Sequence, residues 1–173
     1  MRNETETETE TETGSGSGSK KFPEADAAQP PDGFVHECSV RVRYADVDQM
    51  GVAYHAHYLR WFEVGRSEMF RSLGLPYREV EQRGVLMPVS EVFCKFVSGA
   101  RYDEQLTIET RLDPAVRGGM KFDYRIFAGD RKQLVARGYT RHAFVDAGGK
   151  VVRPPAFLTE VLATAKTRKE AVG

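Results

Sequence analysis

The sequence predicts an α+β protein in which a curved antiparallel sheet wraps around one long central helix. Two patterns favour this fold class. A single strand precedes one long stretch of helical period, and beyond Gly84 most segments alternate apolar and polar residues with the period of a strand. Runs of strands after an isolated helix are typical of antiparallel sheets rather than of βαβ repeats. The long helix is then the only element available to cover the sheet.

The first strand is predicted within residues 34–48, FVHECSVRVRYADVD, where Val40 and Val42 alternate with charged neighbours. The spacing of apolar residues then lengthens to three and four, which predicts an amphipathic helix over 54–73. Its predicted buried stripe consists of Tyr58, Phe62, Gly65, Met69 and Leu73. Gly74 and the proline that follows are expected to end this helix.

A short helix is predicted over 76–84, before the remaining strands. These strands are predicted over 85–97, 104–112, 120–130 and 132–146. Turn residues separate the last two of them, and a proline pair introduces a final helix over 154–166.

Length and low-complexity segments predict one domain with a tail. The chain has 173 residues, the size of a single core. Residues 1–33 contain the runs ETETETETET and GSGSGS, which offer almost no apolar surface to offset the entropy of ordering them. We therefore expect a disordered tail over 1–33, a folded domain over 34–165 and a disordered end over 166–173.

Charge and composition exclude several classes of function. Lys plus Arg and Asp plus Glu both total 25, so the chain lacks the basic excess typical of nucleic-acid binding. No window is apolar enough to span a membrane, and the amino terminus does not resemble a secretory signal. Cys38 and Cys94 stand far apart without metal-ligand spacing, as expected for reduced core residues. These features predict a cytoplasmic protein.

The chemistry-bearing residues concentrate in the stretch RYADVDQMGVAYHAHYLRWFEVGR, residues 43–66. The sequence contains no dinucleotide-binding, P-loop or serine-hydrolase motif. His55 and His57 are two residues apart, which directs them to different faces of a helix, so no metal site is predicted.

A helix that starts near His55 would direct unpaired backbone N–H groups and the positive end of its dipole at the volume beside Asp48. Such a volume can stabilise an oxyanion, with Asp48 as a nucleophile or as the base for a water molecule. Gly51 would let a substrate approach the backbone. The alternatives are structural: Asp48 as a cap or turn former, and His55 as a partly buried histidine bonded to a neighbour. Asp46 is interpreted as a turn former.

The runs YADVDQMGVAYHAHYLRWFEVGR and MPVSEVFCKFVSGARYDEQLTIETRL resemble the 4-hydroxybenzoyl-CoA thioesterase branch of the hotdog-fold superfamily. The similarity is greatest to the acyl-CoA thioesterases associated with the Tol-Pal system, and it covers roughly residues 36–160. It implies the hotdog fold, dimers whose sheets join, and active sites at subunit interfaces. It also implies that Asp48 is the catalytic aspartate, with His55 and Tyr44 beside it and an oxyanion-binding amide at or near His55.

The resemblance implies hydrolysis of an acyl-CoA thioester to a free acid and CoA, without a metal or other cofactor. A homodimer or a homotetramer is expected. By position, the candidates for binding CoA phosphates are Arg117, Lys121 and Arg153, and those for lining the acyl pocket are Val52, Tyr54, Pro88 and Val89. Gln49 and Met50 depart from the usual family residues, with an expected effect on loop shape. Two other functions stay open: an enoyl-thioester hydratase or dehydratase, and a non-catalytic acyl-CoA-binding protein.

Overall fold

The structure is a computed structural model that describes residues 34–113 and 118–161. Its strands are β1 (Val35–Arg41), β2 (Val89–Phe96), β3 (Gln105–Asp113), β4 (Gly119–Ala128) and β5 (Gln133–Ala143). Its helices are α1 (Ala56–Ser72), α2 (Tyr77–Gln82) and α3 (156–161). The predicted tail over 1–33, the predicted end over 166–173 and Arg117 lie outside the described residues.

The five strands form one sheet in the order β1-β3-β4-β5-β2, and every neighbouring pair is antiparallel. In the middle of the sheet, Ile108 of β3 lies opposite Cys38 of β1 and Ile126 of β4. The predicted α+β class, with an antiparallel sheet covered by one long helix, is confirmed. β1 and β2 are the two edges of the sheet.

The core lies between α1 and the sheet face it covers. Alternate residues of β3 and β4 point towards the helix and are almost fully buried, including Ile108, Phe122 and Ile126. On α1, Phe62 is buried and its ring stacks on that of Tyr124, with centroids 4.3 Å apart and planes 8° apart. The predicted alternation in these strands and the predicted helix are thus confirmed.

Gly65 sets how closely α1 approaches the sheet. A Cβ atom at this position would lie 2.3 Å from Thr110 Oγ1 and 2.8 Å from Ile108 Cγ2. Both neighbours belong to β3, in the middle of the core, and both are buried. The glycine is therefore required because only its missing side chain lets the helix backbone rest against the strand.

α1 packs on β1, β3 and β4, which leaves the edge strand β2 largely uncovered. Phe96 of β2 lies on the helix side of the sheet, since its ring is 5.0 Å from that of Tyr58 on α1. Val92 shares that side by strand alternation. Yet Phe96 is 49% exposed and Val92 45% exposed.

Several predicted strands are shorter than the sequence suggested, and the last of them ends at Ala143 rather than at residue 146. The first ends at Arg41 rather than continuing to residue 48, because Arg43 and Asp46 cap a short 3-10 turn over Tyr44–Asp46. The second begins at Val89 rather than at residue 85. The preceding Leu86 instead forms an isolated bridge with Val145.

Within the parts of the chain that the structure describes, no helix combines the length and the apolar character needed to cross a membrane.

Replacing Gly65 by alanine tests the close approach of α1 to β3. In an unconstrained helix this change is favourable by about 1 kcal/mol. Here we expect destabilisation by about 1–3 kcal/mol in urea unfolding, because the new methyl group overlaps Thr110 and Ile108. Adding Thr110→Ala should recover part of the loss. A more stable Gly65→Ala protein would contradict the close approach.

Candidate functional site

Asp48 lies on a tight loop, residues 47–53, that joins the 3-10 turn to α1. Val47 and Ala53 form an isolated antiparallel bridge that closes the loop. Inside it, the Asp48 N–H donates to the Val52 carbonyl at 3.0 Å, and the Gly51 N–H donates to the Asp48 carbonyl at 2.9 Å. Gly51 has φ +71°, and the space where a Cβ would stand is open. The loop is therefore held by its own backbone and leaves room above Gly51.

Towards the described part of the chain, the Asp48 carboxylate uses only one of its oxygens. Oδ1 accepts a hydrogen bond from the Met50 N–H at 2.8 Å, while Oδ2 accepts none from residues 34–113 and 118–161. The side chain is half-buried. Asp48 can thus form the turn through Oδ1 and still offer Oδ2 to a ligand.

The first turn of α1 presents unpaired amides. The helix begins at Ala56 with His55 as its N-cap, and none of the described side chains caps it. The N–H groups of His55 and Ala56 donate to no acceptor within the described ranges, whereas the His57 N–H donates to the Tyr54 carbonyl at 2.9 Å. Both free amides can therefore receive a ligand oxygen, which the helix dipole also favours.

Asp46 fixes the helix start against the loop. Its carboxylate accepts hydrogen bonds from the Arg43 backbone at 2.8 Å and from the Arg43 guanidinium at 2.9 Å, and its carbonyl accepts from the Tyr54 N–H at 2.9 Å. The hydrogen bonds from Arg43 lower the pKa of the Asp46 carboxyl below its usual value. Asp46 is buried and structural, in agreement with its interpretation as a turn former.

The aromatic residues around the loop divide into two groups. The His55 ring is exposed, with its centroid 4.2 Å from that of Tyr54 and 6.4 Å from that of Phe96. Tyr44 is instead 80% exposed, and its ring packs edge-to-face on that of Tyr102 with centroids 5.7 Å apart. The structure thus brings Tyr54 to His55, whereas Tyr44 pairs with Tyr102.

The predicted acyl-pocket residues do not form one cluster. Val52 packs on the backbone of Gly99, close to Asp48. Pro88 and Val89 lie exposed at the start of β2, whereas the part of β2 next to His55 is its last residue, Phe96. At about 3.3 Å per residue, Val89 is roughly 23 Å from Phe96 along the strand.

The predicted CoA-binding cations are also dispersed. Lys121 lies on the sheet face opposite α1, where its Nζ is 2.8 Å from Asp123 and 3.7 Å from Asp113. Two carboxylates therefore already balance its charge. Arg153 is exposed in the segment before α3, and Arg117 lies outside the described residues.

The structure contains a buried polar group of residues that sequence reasoning missed, here called the Arg66 cluster: Arg66, Tyr124, Thr140 and His142. Thr140 Oγ1 lies 2.9 Å from the Tyr124 hydroxyl and 2.9 Å from His142 Nε2. The Arg66 guanidinium lies 3.4 Å from His142 Nε2 and also hydrogen-bonds Tyr124. The alternation of β5 could have revealed part of this cluster, because Thr140 and His142 lie on the same buried side of the strand as Ala136.

Hydrogen-bond chemistry fixes the state of His142. Its Nδ1 lies 3.0 Å from the Met87 carbonyl, which can only accept, so Nδ1 carries the proton. The Arg66 guanidinium can only donate, so Nε2 is the unprotonated acceptor. Burial, and then the positive charge of Arg66, lower the pKa of His142 from 6.5 to about 4. His142 is therefore neutral at physiological pH.

Comparison with known proteins identifies relatives with the same fold. The model of the thioesterase-like superfamily matches residues 42–163. A putative acyl-CoA thioesterase of Bacillus subtilis, YneP, is 33% identical over 112 residues, which cover 65% of this chain and 80% of that protein. The acyl-CoA thioesterase YbgC of Haemophilus influenzae is 30% identical over 125 residues, which cover 72% of this chain and 89% of that protein. The structure of 4-hydroxybenzoyl-CoA thioesterase from Pseudomonas superposes with a TM-score of 0.66 at 26% identity, over 74% of this chain and 99% of that one.

The low pKa of His142 predicts a loss of stability in acid. Because the unfolded chain takes up this proton near pH 6.5 and the folded protein only near pH 4, the unfolding free energy falls by about 3 kcal/mol across that window. His142→Gln should lack this contribution. Urea unfolding of both proteins from pH 7 to pH 4 measures it, and parallel curves would contradict a buried neutral His142.

Proposed function

The chain belongs to the thioesterase-like superfamily, and on that premise we propose that it hydrolyses acyl-CoA thioesters to a free acid and CoA. One observation carries the proposal: the unpaired amides of His55 and Ala56 open the helix that follows the Asp48 loop, and Asp48 Oδ2 has no partner among the described residues. An oxyanion site and a reactive carboxylate on adjoining elements are the parts that acyl transfer requires.

In the proposed reaction, the thioester carbonyl oxygen accepts from the amides at the start of α1. These N–H groups and the helix dipole stabilise the negative charge that develops on that oxygen in the transition state. Asp48 attacks the carbonyl carbon directly, or removes a proton from a water molecule that attacks it. The C–S bond then breaks and CoA leaves as a thiolate that takes up a proton. On the direct route the acyl group is then bound to Asp48 as an anhydride, which a water molecule hydrolyses to the free acid and the restored carboxylate.

Other predicted residues take supporting roles in this proposal. The open space above Gly51 admits the thioester to the backbone, and Val52 and Tyr54 line the entrance. His55 orients the substrate or assists the departing thiolate. Tyr44, Arg117, Lys121 and Arg153 stay predictions from the sequence; the two carboxylates beside Lys121 make it the weaker phosphate ligand.

We further propose that the protein assembles through β2 into homodimers, which can pair into tetramers. β2 is an edge strand with several exposed apolar side chains: Val89, Val92 and Phe96. Such an edge is an unstable surface for a monomer because its backbone groups lack partners, and pairing with the edge strand of a second copy would satisfy them. Dimerisation would also place a second chain beside His55.

A cytoplasmic location is part of this proposal. Cys38 and Cys94 are both free thiols, as expected in a reducing compartment.

Asp48→Asn tests the catalytic carboxylate. We expect thiol release from acyl-CoA to fall about 100-fold or more, because the amide can neither attack nor take a proton. Asp130→Asn is the matched control, since Asp130 is an exposed turn residue with positive φ that asparagine tolerates. Release by Asp48→Asn at the full rate would refute the assigned role.

The same assay separates the alternative functions. A hydratase would change the absorbance of an enoyl thioester without releasing thiol, and a binding protein would do neither. Failure of the wild-type protein to release thiol from aromatic, short-chain and long-chain acyl-CoAs alike would refute the proposed reaction.

Cys94→Pro tests assembly through β2. The Val97 N–H donates to Val135 of β5, so by strand alternation the Cys94 N–H points to the open edge. Proline removes that donor without breaking the ladder to β5, and we expect light scattering to show monomers with reduced activity. Cys94→Ala should stay assembled. An unchanged mass for Cys94→Pro would exclude this edge as the interface.

A further inference from the structure

A groove runs along α1 on the side of β2, here called the α1–β2 groove. On the helix, His55, Leu59 and Arg66 are four and then seven residues apart, which aligns them on one stripe. On the strand, Val92 and Phe96 lie on the helix side by alternation, and both are about half exposed because α1 leaves β2 largely uncovered. The groove begins at the free amides of the first turn.

Two independent measures give the length of the groove. From Ala56 to Arg66 the helix rises about 15 Å, at 1.5 Å per residue. On β2, Phe96 contacts His55, and Val92 lies opposite Thr140 of the Arg66 cluster. Four residues of strand span about 13 Å. Helix and strand therefore agree that the Arg66 cluster lies roughly 13–15 Å from the proposed oxyanion site.

The walls between these two ends are apolar. Leu59 is 41% exposed on the same helix stripe as His55 and Arg66, and the half-exposed Val92 and Phe96 lie on the helix side of β2. The floor is formed where Gly138 of β5 contacts Phe62: a Cβ at Gly138 would lie 3.0 Å from the Phe62 ring. A hydrocarbon chain fits such walls, and its burial there is favourable.

The far end of the groove carries an unbalanced positive charge. The half-buried Arg66 guanidinium contacts His142, which is neutral, and the hydroxyl of Tyr124. No carboxylate within residues 34–113 and 118–161 lies within ion-pair distance of it, not even Glu63 one turn earlier on α1. A partly desolvated cation without a counter-ion is costly, and an anionic ligand would remove that cost.

We propose that the α1–β2 groove selects acyl groups that end in a carboxylate, so that the substrates are CoA thioesters of medium-length dicarboxylic acids. The thioester carbonyl binds at the start of α1, the methylene chain lies along Leu59 and Val92, and the terminal carboxylate accepts hydrogen bonds from Arg66. A guanidinium pairs with a carboxylate through two parallel N–H donors. This inference rests on the proposed thioesterase function.

The test compares matched pairs of substrates with the purified wild-type protein. Thiol release is measured for adipoyl-, suberoyl-, sebacoyl- and dodecanedioyl-CoA, each against the straight-chain monocarboxylic acyl-CoA with the same number of carbons. We expect kcat/KM to favour the dicarboxylic member by about tenfold or more at one length, where the carboxylate reaches Arg66, and less at the others.

Arg66→Gln should abolish that preference, and Arg66→Lys should retain part of it, because lysine keeps the charge but not the paired donors. Arg60→Gln is the matched control: Arg60 is exposed on a different face of α1, about 120° around the helix from Arg66, so both activities should match the wild type. As a second readout in the wild-type protein, free sebacate should inhibit more strongly than free decanoate.

The outcomes separate the two proposals. No thiol release from any substrate refutes the thioesterase function itself. Release from monocarboxylic substrates without a dicarboxylic preference at any length refutes only the selectivity, as does a preference that survives in folded Arg66→Gln. Should that variant fail to fold, the wild-type ratios and the sebacate inhibition decide the question alone.

Discussion

The structure depends on the burial of the apolar stripe of α1 against the sheet. Phe62 stacks on Tyr124 and Gly65 rests against Thr110, so the helix can lie at only one depth and in one rotation. The packing of Phe62 and Gly65 therefore decides which strands the helix covers. Because α1 packs on β1, β3 and β4, the inner side of β2 remains open. The core and the groove beside it thus have the same origin.

The position of the helix also decides where its first turn is presented. The bridge between Val47 and Ala53 and the hydrogen bonds of Asp46 hold the loop to the start of α1. Asp48 is therefore carried on a hydrogen-bonded backbone, next to amides that donate to no acceptor within residues 34–113 and 118–161. Preorganised donors of this kind stabilise charge without reorganising during the reaction. Unpaired amides at a helix start would cost stability if they were buried, whereas at the surface they can bind a ligand.

In the Arg66 cluster, polar side chains in the protein interior form hydrogen bonds with one another. His142, Thr140 and Tyr124 satisfy one another with hydrogen bonds, so these buried polar atoms are not left unpaired. The guanidinium of Arg66 completes the set but adds a charge that the cluster does not neutralise. Burial keeps His142 from sharing that charge, because its pKa is lowered to about 4. The cluster therefore remains one positive charge at one end of an apolar groove.

The sequence alone determined the class of fold, the long helix and the strands of the core. Burial of one face imposes a regular spacing on the apolar residues of an element, and Ile108 and Phe122 follow that spacing. The sequence also located Asp48, Gly51 and the helix start, since these are adjacent in the chain. Only the tertiary structure decided which distant residues meet. Pro88 and Val89 lie at the far end of β2 from His55, and Arg66 meets Thr140 and His142 across the core. The physical reason is that periodicity reports whether a residue is buried, whereas strand order and helix placement determine its partners.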